Sequence, residues 1–267
     1  GNLNTAVGAN SMFKNTTGTS GTAVGTSALI CNTTGNNNTA VGYLSLAANT
    51  TADDGTAIGF NVLKLNTTGD SNTAVGKDAS QSMTTGCFNV AVGTFSLLRA
   101  TTGINNVGIG RHALEQMSTG SGNVAIGRYS GADSVFNVTS QDNRFIAGHN
   151  SITNAYVKVD WTVTSDKRDK TEIEDVPHGL DFVSQMKPVS FKFKKSRENS
   201  KAHGMKKYGF LAQDILALEG DNNVIIDNEN DEALKVTNSH LIPVLVNAIK
   251  ELKAQNDSLK SRIETLE

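Results

Sequence analysis

Thr22-Ala23-Val24-Gly25-Thr26-Ser27-Ala28-Leu29-Ile30-Cys31-Asn32-Thr33-Thr34-Gly35 decides the reading of the first half of the chain, because both of its landmarks return at a fixed spacing. An Ala-Val-Gly or Ala-Ile-Gly triplet ends at Gly8, Gly25, Gly42, Gly59, Gly76, Gly93 and Gly127, and Gly-Ile-Gly fills the slot at Gly110. The interval is 17 residues throughout. Ten residues after each glycine comes the second landmark: Asn15-Thr16-Thr17-Gly18, Asn32-Thr33-Thr34-Gly35 and Asn66-Thr67-Thr68-Gly69, with looser copies ending at Ala52, Gly86, Gly103 and Gly120. Two markers locked in phase over eight copies define a solenoid, in which a repeat buries its apolar face by stacking on the next.

Within a copy the alternation reads as one short strand. Thr5 and Val7, Val90 and Val92, or Val124 and Ile126 lie two apart and share a face, and Ala6, Ala91 and Ala125 take the other. The glycine that follows suits a corner of positive φ or close backbone approach. Pairs such as Ala28-Leu29, Ser45-Leu46 and Ser96-Leu97 are expected to form a second inward face. Asn-Thr-Thr-Gly is expected to be the second corner, its Asn and Gly left-handed and its Thr hydroxyls bonding turn backbone. With one rung of about 4.8 Å per copy the rod would be roughly 40 Å long. Two or three large apolar side chains per turn make a thin core, so parallel association of several chains is expected, with the alanine face allowing close approach. These residues resemble the head repeats of trimeric autotransporter adhesins, whose pattern Asn123-Val124-Ala125-Ile126-Gly127 matches. The resemblance implies a parallel β-roll in a homotrimer, here with a longer repeat.

Composition divides the chain. The first 151 residues hold seven basic and seven acidic side chains, leaving 17 and 19 for the remainder. Neither part is a polybasic nucleic-acid binder. Cys31 and Cys87 fall at different phases of the repeat, so no disulfide framework is indicated. No apolar run reaches the roughly 20 residues that span a bilayer, which predicts no membrane insertion. The first residue is Gly and no signal-like segment follows it, so the chain reads as soluble and as a piece of a longer protein. His112, His149, His178, His203 and His240 are scattered without Cys or carboxylate at ligand spacing, and neither a metal nor a cofactor is expected. The Asn-x-Thr runs at Asn15, Asn32, Asn49 and Asn66 read as corners or, alternatively, as glycosylation acceptors.

The period fails after Gly127, leaving an echo at Phe145-Ile146-Ala147-Gly148. Residues 1–127 are therefore read as the solenoid, 128–164 as a neck and 165–267 as a second domain. Aromatics gather in the neck at Tyr129, Phe136, Tyr156 and Trp161, and alternation predicts a last strand over 155–161. If the rod has a ligand, Tyr156 and Trp161 are the residues expected to meet it. At the other end Leu245, Ile249, Leu252, Asn256, Leu259, Ile263 and Leu266 step alternately by four and three. This predicts a coiled coil over about 243–267, the part before Pro243 packing on its own domain. Ile and Leu in this order favour two strands in isolated peptides, and a buried Asn fixes register. Three strands are expected here because a short helix follows the symmetry of the domain that carries it.

Four further segments stand in order: Ser165-Asp166-x-Arg168-x-Lys170-x-x-Ile173, Met186-Lys187-Pro188-Val189-Ser190-Phe191-Lys192-Phe193, Tyr208-Gly209-Phe210-Leu211-Ala212-Gln213-Asp214 and Ala248-Ile249-Lys250-Glu251-Leu252. Together they resemble the intramolecular chaperone found at the C-termini of phage tailspikes and tail fibres, a self-cleaving peptidase family. The resemblance covers about residues 160–267 and implies a small α+β domain that trimerises the chains. It also implies that Ser165 is a nucleophile and Lys170 its base, cutting Thr164-Ser165 once. That chemistry needs a buried lysine, since an ammonium near the reference pKa of about 10.4 accepts no proton at neutral pH. The alternative is that Ser165 only caps the turn begun by Asp166 to Lys170.

The functional expectation is thus the C-terminal part of an extracellular homotrimeric fibre or adhesin, on a virion tail fibre or a bacterial surface. Its receptor would be a cell-surface glycan or protein. A repetitive rod has many near-equivalent registers, so it needs a separate device to align it. A tailspike-like hydrolase of surface glycans is the alternative, its catalytic part lying upstream; within the repeat the only adjacent carboxylates are Asp53 and Asp54.

Overall fold

The computed structural model describes residues 1–158, 160, 162–194, 199–220 and 223–266. They form two compact units, Gly1–Ile152 and Thr153–Glu267.

The first unit is a parallel β-solenoid. Its rungs are β1 (Thr5–Val7), β2 (Thr22–Val24), β3 (Thr39–Val41), β4 (Thr56–Ile58), β5 (Thr73–Val75), β6 (Val90–Val92), β7 (Val107–Ile109), β8 (Val124–Ile126) and β9 (Phe145–Ala147). They pair in sequence order as one parallel sheet. Equivalent residues stand opposite each other, as in Thr22 with Thr39, Ala23 with Ala40 and Val24 with Val41. The echo at Phe145 is a ninth rung, paired in the same register with β8. It lies 21 residues on because an insertion after Ser130 lengthens that coil, as the bond from Ser121 N to Asp142 Oδ1 records. Ala132 and Asn137 bridge the base of this insertion. The Asp133 carboxylate accepts from Val135 N at 2.8 Å, Phe136 N at 2.7 Å and Asn150 N at 2.9 Å.

The two strand faces are the reverse of the expected arrangement. Ala23, Ala40, Ala57, Ala74, Ala91 and Ala125 are fully buried, whereas Val7, Val24, Ile58, Val92, Ile109 and Ile126 are 37 to 56% exposed. The reason is width. The opposite wall already sends Leu29, Leu46, Leu63, Leu97 and Leu114 into the coil, each fully buried, and a 17-residue turn has no room for a valine facing them. Only a methyl group fits.

The corners also differ from expectation. Left-handed backbone is not found at the Asn and Gly of Asn-Thr-Thr-Gly; it falls on the wall after the strand and on the residue two before it, for example Ser27, Leu29 and Asn37. A left-handed leucine such as Leu29 (φ 50) or Leu63 (φ 47) costs about 1–2 kcal/mol, which burial of the side chain offsets at about 1.5–3 kcal/mol. Gly25 (φ 132) is required at the first corner, since a Cβ there would lie 2.6 Å from the Gly42 carbonyl oxygen.

At the second corner the asparagines point inward and bond from rung to rung. Asn32 Nδ2 donates to Asn15 Oδ1 at 2.8 Å and Asn49 Nδ2 to Asn32 Oδ1 at 2.7 Å. Asn32, Asn49 and Asn66 are buried, which makes them structural amides rather than accessible acceptors. Outside them the first Thr hydroxyl of each corner bonds the next rung's carbonyl, as Thr33 does to Thr50 at 2.8 Å and Thr101 to Ser118 at 3.0 Å. The bonded amide column ends at Asn49: Asn66 Nδ2 turns to the Gly69 carbonyl at 2.9 Å, Met83 takes the next position, and the Asn49 and Asn66 side-chain oxygens are left without a donor.

A second amide column takes over just before the strands. Asn72 Oδ1 accepts from Asn89 N and Nδ2, both at 3.0 Å, and Asn89 Oδ1 accepts likewise from Asn106. Asn106 Oδ1 passes the pattern to Asn123 N at 2.9 Å. In this second column the buried amides both donate and accept from rung to rung, which fixes the stacking of these coils.

The second unit is a small α+β assembly. It contains α1 (Leu180–Gln185), β10 (Val189–Lys194), β11 (Ala202–Gly209), α2 (Ala212–Glu219), β12 (Ile226–Asp227), β13 (Lys235–Val236) and α3 (Leu241–Glu264). β10 pairs antiparallel with β11, and β12 with β13. The core is Phe182, Ile215, Ile225, Ile226, Leu241 and Val244. Glu219 closes the loop after α2, its carboxylate accepting from Val224 N at 2.8 Å, Ile225 N at 2.7 Å and Ile226 N at 3.0 Å. The strand expected over 155–161 is absent from its described residues, which run as irregular chain. Pro243 lies within the first turn of α3, where a missing N–H costs nothing. Packing on its own domain continues past Pro243: Val244 and Ala248 are buried, Asn247 Nδ2 donates to the Val176 carbonyl at 3.0 Å, and Glu251 Oε2 accepts from Leu180 N at 2.8 Å.

Candidate functional site

The structure brings Ser165 and Lys170 together. A one-turn 3-10 helix, Lys167–Asp169, folds the five-residue interval back on itself. Lys170 Nζ then donates to Ser165 Oγ at 2.8 Å. The turn is capped by Asp166, not Ser165: Asp166 Oδ1 accepts from Arg168 N at 2.9 Å. Arg168 returns over its own cap, Nη2 reaching Asp166 Oδ2 at 2.6 Å. This ion pair holds the Asp166 carboxyl below its ordinary value, first through the guanidinium and then through the Arg168 amide. It raises Arg168 correspondingly. The Ser165 hydroxyl is therefore free of capping duty and faces the lysine. Both residues are exposed, so the geometry of a nucleophile and base is present without the dry surroundings that a neutral amine requires.

Tyr156 is exposed on irregular chain, and Trp161 lies outside the described residues. Asp53 and Asp54 belong to the rod's rung-to-rung bonding, accepting from Asn36 N at 2.6 Å and from Asn37 Nδ2 at 3.0 Å. Among the described residues no three His, Cys, Asp or Glu side chains gather as metal ligands. No helix among them is long and apolar enough to cross a membrane.

Two apolar surfaces stand open, the first not expected from the sequence and the second the seam that the heptad spacing predicts. The outward face of the nine-stranded sheet carries Thr or Val in one column and Val or Ile in the next, unbroken from β2 to β8. In the second unit the helix stripe Ile249, Leu252, Leu259 and Ile263 is exposed along α3. The strand alternation contained the first surface, but only the sign of the faces, fixed by the coil, shows that it is apolar and uncovered.

These features define a class: a β-solenoid rod joined to a small α+β domain that ends in a long helix with an apolar stripe. Residues 165–224 match the family model described as chaperone of endosialidase. The match opens on Ser165, runs through β10, β11 and α2, and stops before β12. No curated protein and no solved structure matches the chain. The matched domain and the solenoid together fit a trimeric fibre with an intramolecular chaperone.

Proposed function

We propose that the chain forms a homotrimeric extracellular fibre, an adhesin or tail-fibre component for cell-surface recognition, whose last domain trimerises the rods and sets their register. The uncovered Val/Ile column carries this reading. Parallel sheets are ordinarily covered on both faces, and a contiguous aliphatic strip down a rod marks a surface that another molecule buries. Its repetition at every rung favours an equally repetitive partner, a second and third copy in parallel. The same repetition makes the strip blind to slips of one rung, because Val meets Val in each register. Alignment must then come from a part of the chain that does not repeat, and the exposed stripe on α3 suits that task.

The dyad supports a single self-cleavage. Ser165 Oγ adds to the Thr164 carbonyl carbon as Lys170 takes its proton, and the Thr164-Ser165 C–N bond breaks as the nitrogen is protonated. Water then hydrolyses the resulting ester, leaving a Thr164 carboxylate and a chain that starts at Ser165. Cover from neighbouring chains supplies the desolvation that the single chain lacks.

Intact mass together with light scattering tests both parts. A trimer containing a fragment that begins at Ser165 in the wild type, and a full-length trimer for Ser165→Ala and Lys170→Met, is the expected pattern. A monomer overturns the fibre reading, and a full-length wild-type trimer overturns the cleavage alone.

A further inference from the structure

We infer that Arg111, Arg128 and Tyr129 form a binding site on the rod for an acidic surface glycan, the guanidinium pair taking a carboxylate or sulfate group. This rests on the reading of the chain as a surface-recognition fibre, and it names the ligand class and the place.

The two arginines occupy the position just after the corner glycine on consecutive rungs. Equivalent positions hold Ala9, Thr26, Tyr43, Phe60, Lys77 and Thr94, so the coil accepts neutral residues there and does not call for a cation. Both guanidiniums sit 5.3 Å from the Tyr129 ring centroid. Arg111 Nη2 also donates to Tyr129 Oη at 3.3 Å. The ring is itself fixed, stacked on His112 at 4.4 Å and 4°. The tyrosine thus holds two exposed cations in place one rung apart.

Like charges this close repel, and the acids of the surrounding rungs are engaged elsewhere. Glu115 is engaged by His112 at 2.7 Å. Asp133 accepts from three backbone amides, and Asp142 accepts from Ser121 N at 2.6 Å. Neither arginine has an ion-pair partner among the described residues, whereas Lys77, two and three rungs away in the same column, has Asp78 at 3.8 Å. A preordered pair of uncompensated guanidiniums is complementary to a planar or tetrahedral oxyanion. Nucleic acid fits less well. The rings of Phe95, His112 and Tyr129 pack against one another, His112 stacked on Tyr129 and tilted by 38° to Phe95, leaving no gap between them for a base to stack in, as single-strand binding requires.

The experiment titrates the intact chain with oligogalacturonate (carboxylate), heparin-derived hexasaccharide (sulfate), neutral maltohexaose and an oligothymidylate, with light scattering on the same samples. Binding to at least one acidic oligosaccharide, weakened by salt, is expected, with no binding to maltohexaose. Arg111→Thr with Arg128→Thr, the residue that rungs 2 and 6 already carry here, should reduce it by at least about tenfold with an unchanged melting temperature. Lys64→Gln elsewhere on the rod should leave it unchanged. A trimer that ignores both acidic sugars, binds them equally in the double variant, or prefers the oligothymidylate overturns the site. A monomer that still binds acidic sugar through these arginines overturns the fibre reading and leaves the site standing.

Discussion

The rod and the terminal unit solve the same problem in opposite ways. In the rod many polar groups meet their equivalents 17 residues on, Asn bonding Asn and Thr bonding Thr, so that neighbouring rungs are near-equivalent. Among the described residues of the terminal unit the contacts are singular: Glu219 closes one loop, Asn247 and Glu251 hold one segment, and Ser165 meets one lysine. Repetition supplies length at the cost of register. Singular contacts supply register and cannot supply length.

Four experiments break or sharpen that comparison. The largest effect is expected from Val92→Glu with Ile109→Glu, which places carboxylates of three chains along the aliphatic strip. Unpaired buried charges should shift the trimer equilibrium by more than about a thousandfold toward monomer; sedimentation that still shows a trimer would remove the strip from the interface. Next are two core truncations, Leu63→Ala in the rod and Ile215→Ala in the terminal unit, each expected to cost about 2–5 kcal/mol. Hydrogen exchange should distinguish them, because the rod variant loosens adjacent rungs alone while the other opens its whole unit.

A third comparison lies within the rod. Asn106→Ala takes the acceptor from the buried Asn123 N–H and a donor from the Gly120 carbonyl and should cost about 2–3 kcal/mol in thermal unfolding. Asn66→Met removes an amide whose oxygen already lacks a donor and extends the Met83 column, so its effect should stay within about 1 kcal/mol. Equal losses would mean that the ladders contribute nothing beyond volume. The smallest effect is expected at Asp166. Its carboxyl should titrate below 3.8 in the folded chain, so its contribution to the turn is present above the unfolded pKa and is lost as pH falls through the lower folded value. A carboxyl shift midpoint by NMR at or above 3.8 would show that the Arg168 contact does not persist in water.

Much of this was legible in the residues. The four ordered segments pointed to the terminal domain, of which the family model matches 165–224, and the pairing of Ser165 with Lys170 came from that resemblance rather than from their spacing. The ninth rung showed only as an echo at Phe145-Ile146-Ala147-Gly148, since a fixed period cannot anticipate a 21-residue coil that bulges at Asp133. The amide ladders were visible only as separate Asn-Thr-Thr-Gly corners. They become hydrogen-bonded columns once the coil closes and stacks residues 17 apart.

The sequence by itself determined the period, and with it a stacked parallel coil, because a pattern that recurs every 17 residues can be satisfied all at once only by stacking. Alternation likewise determined that each strand has two unlike faces. Which face turns inward was decided by tertiary structure alone: the leucines of the opposite wall fill the narrow coil, alanine fits beside them, and the larger valines and isoleucines are left outside.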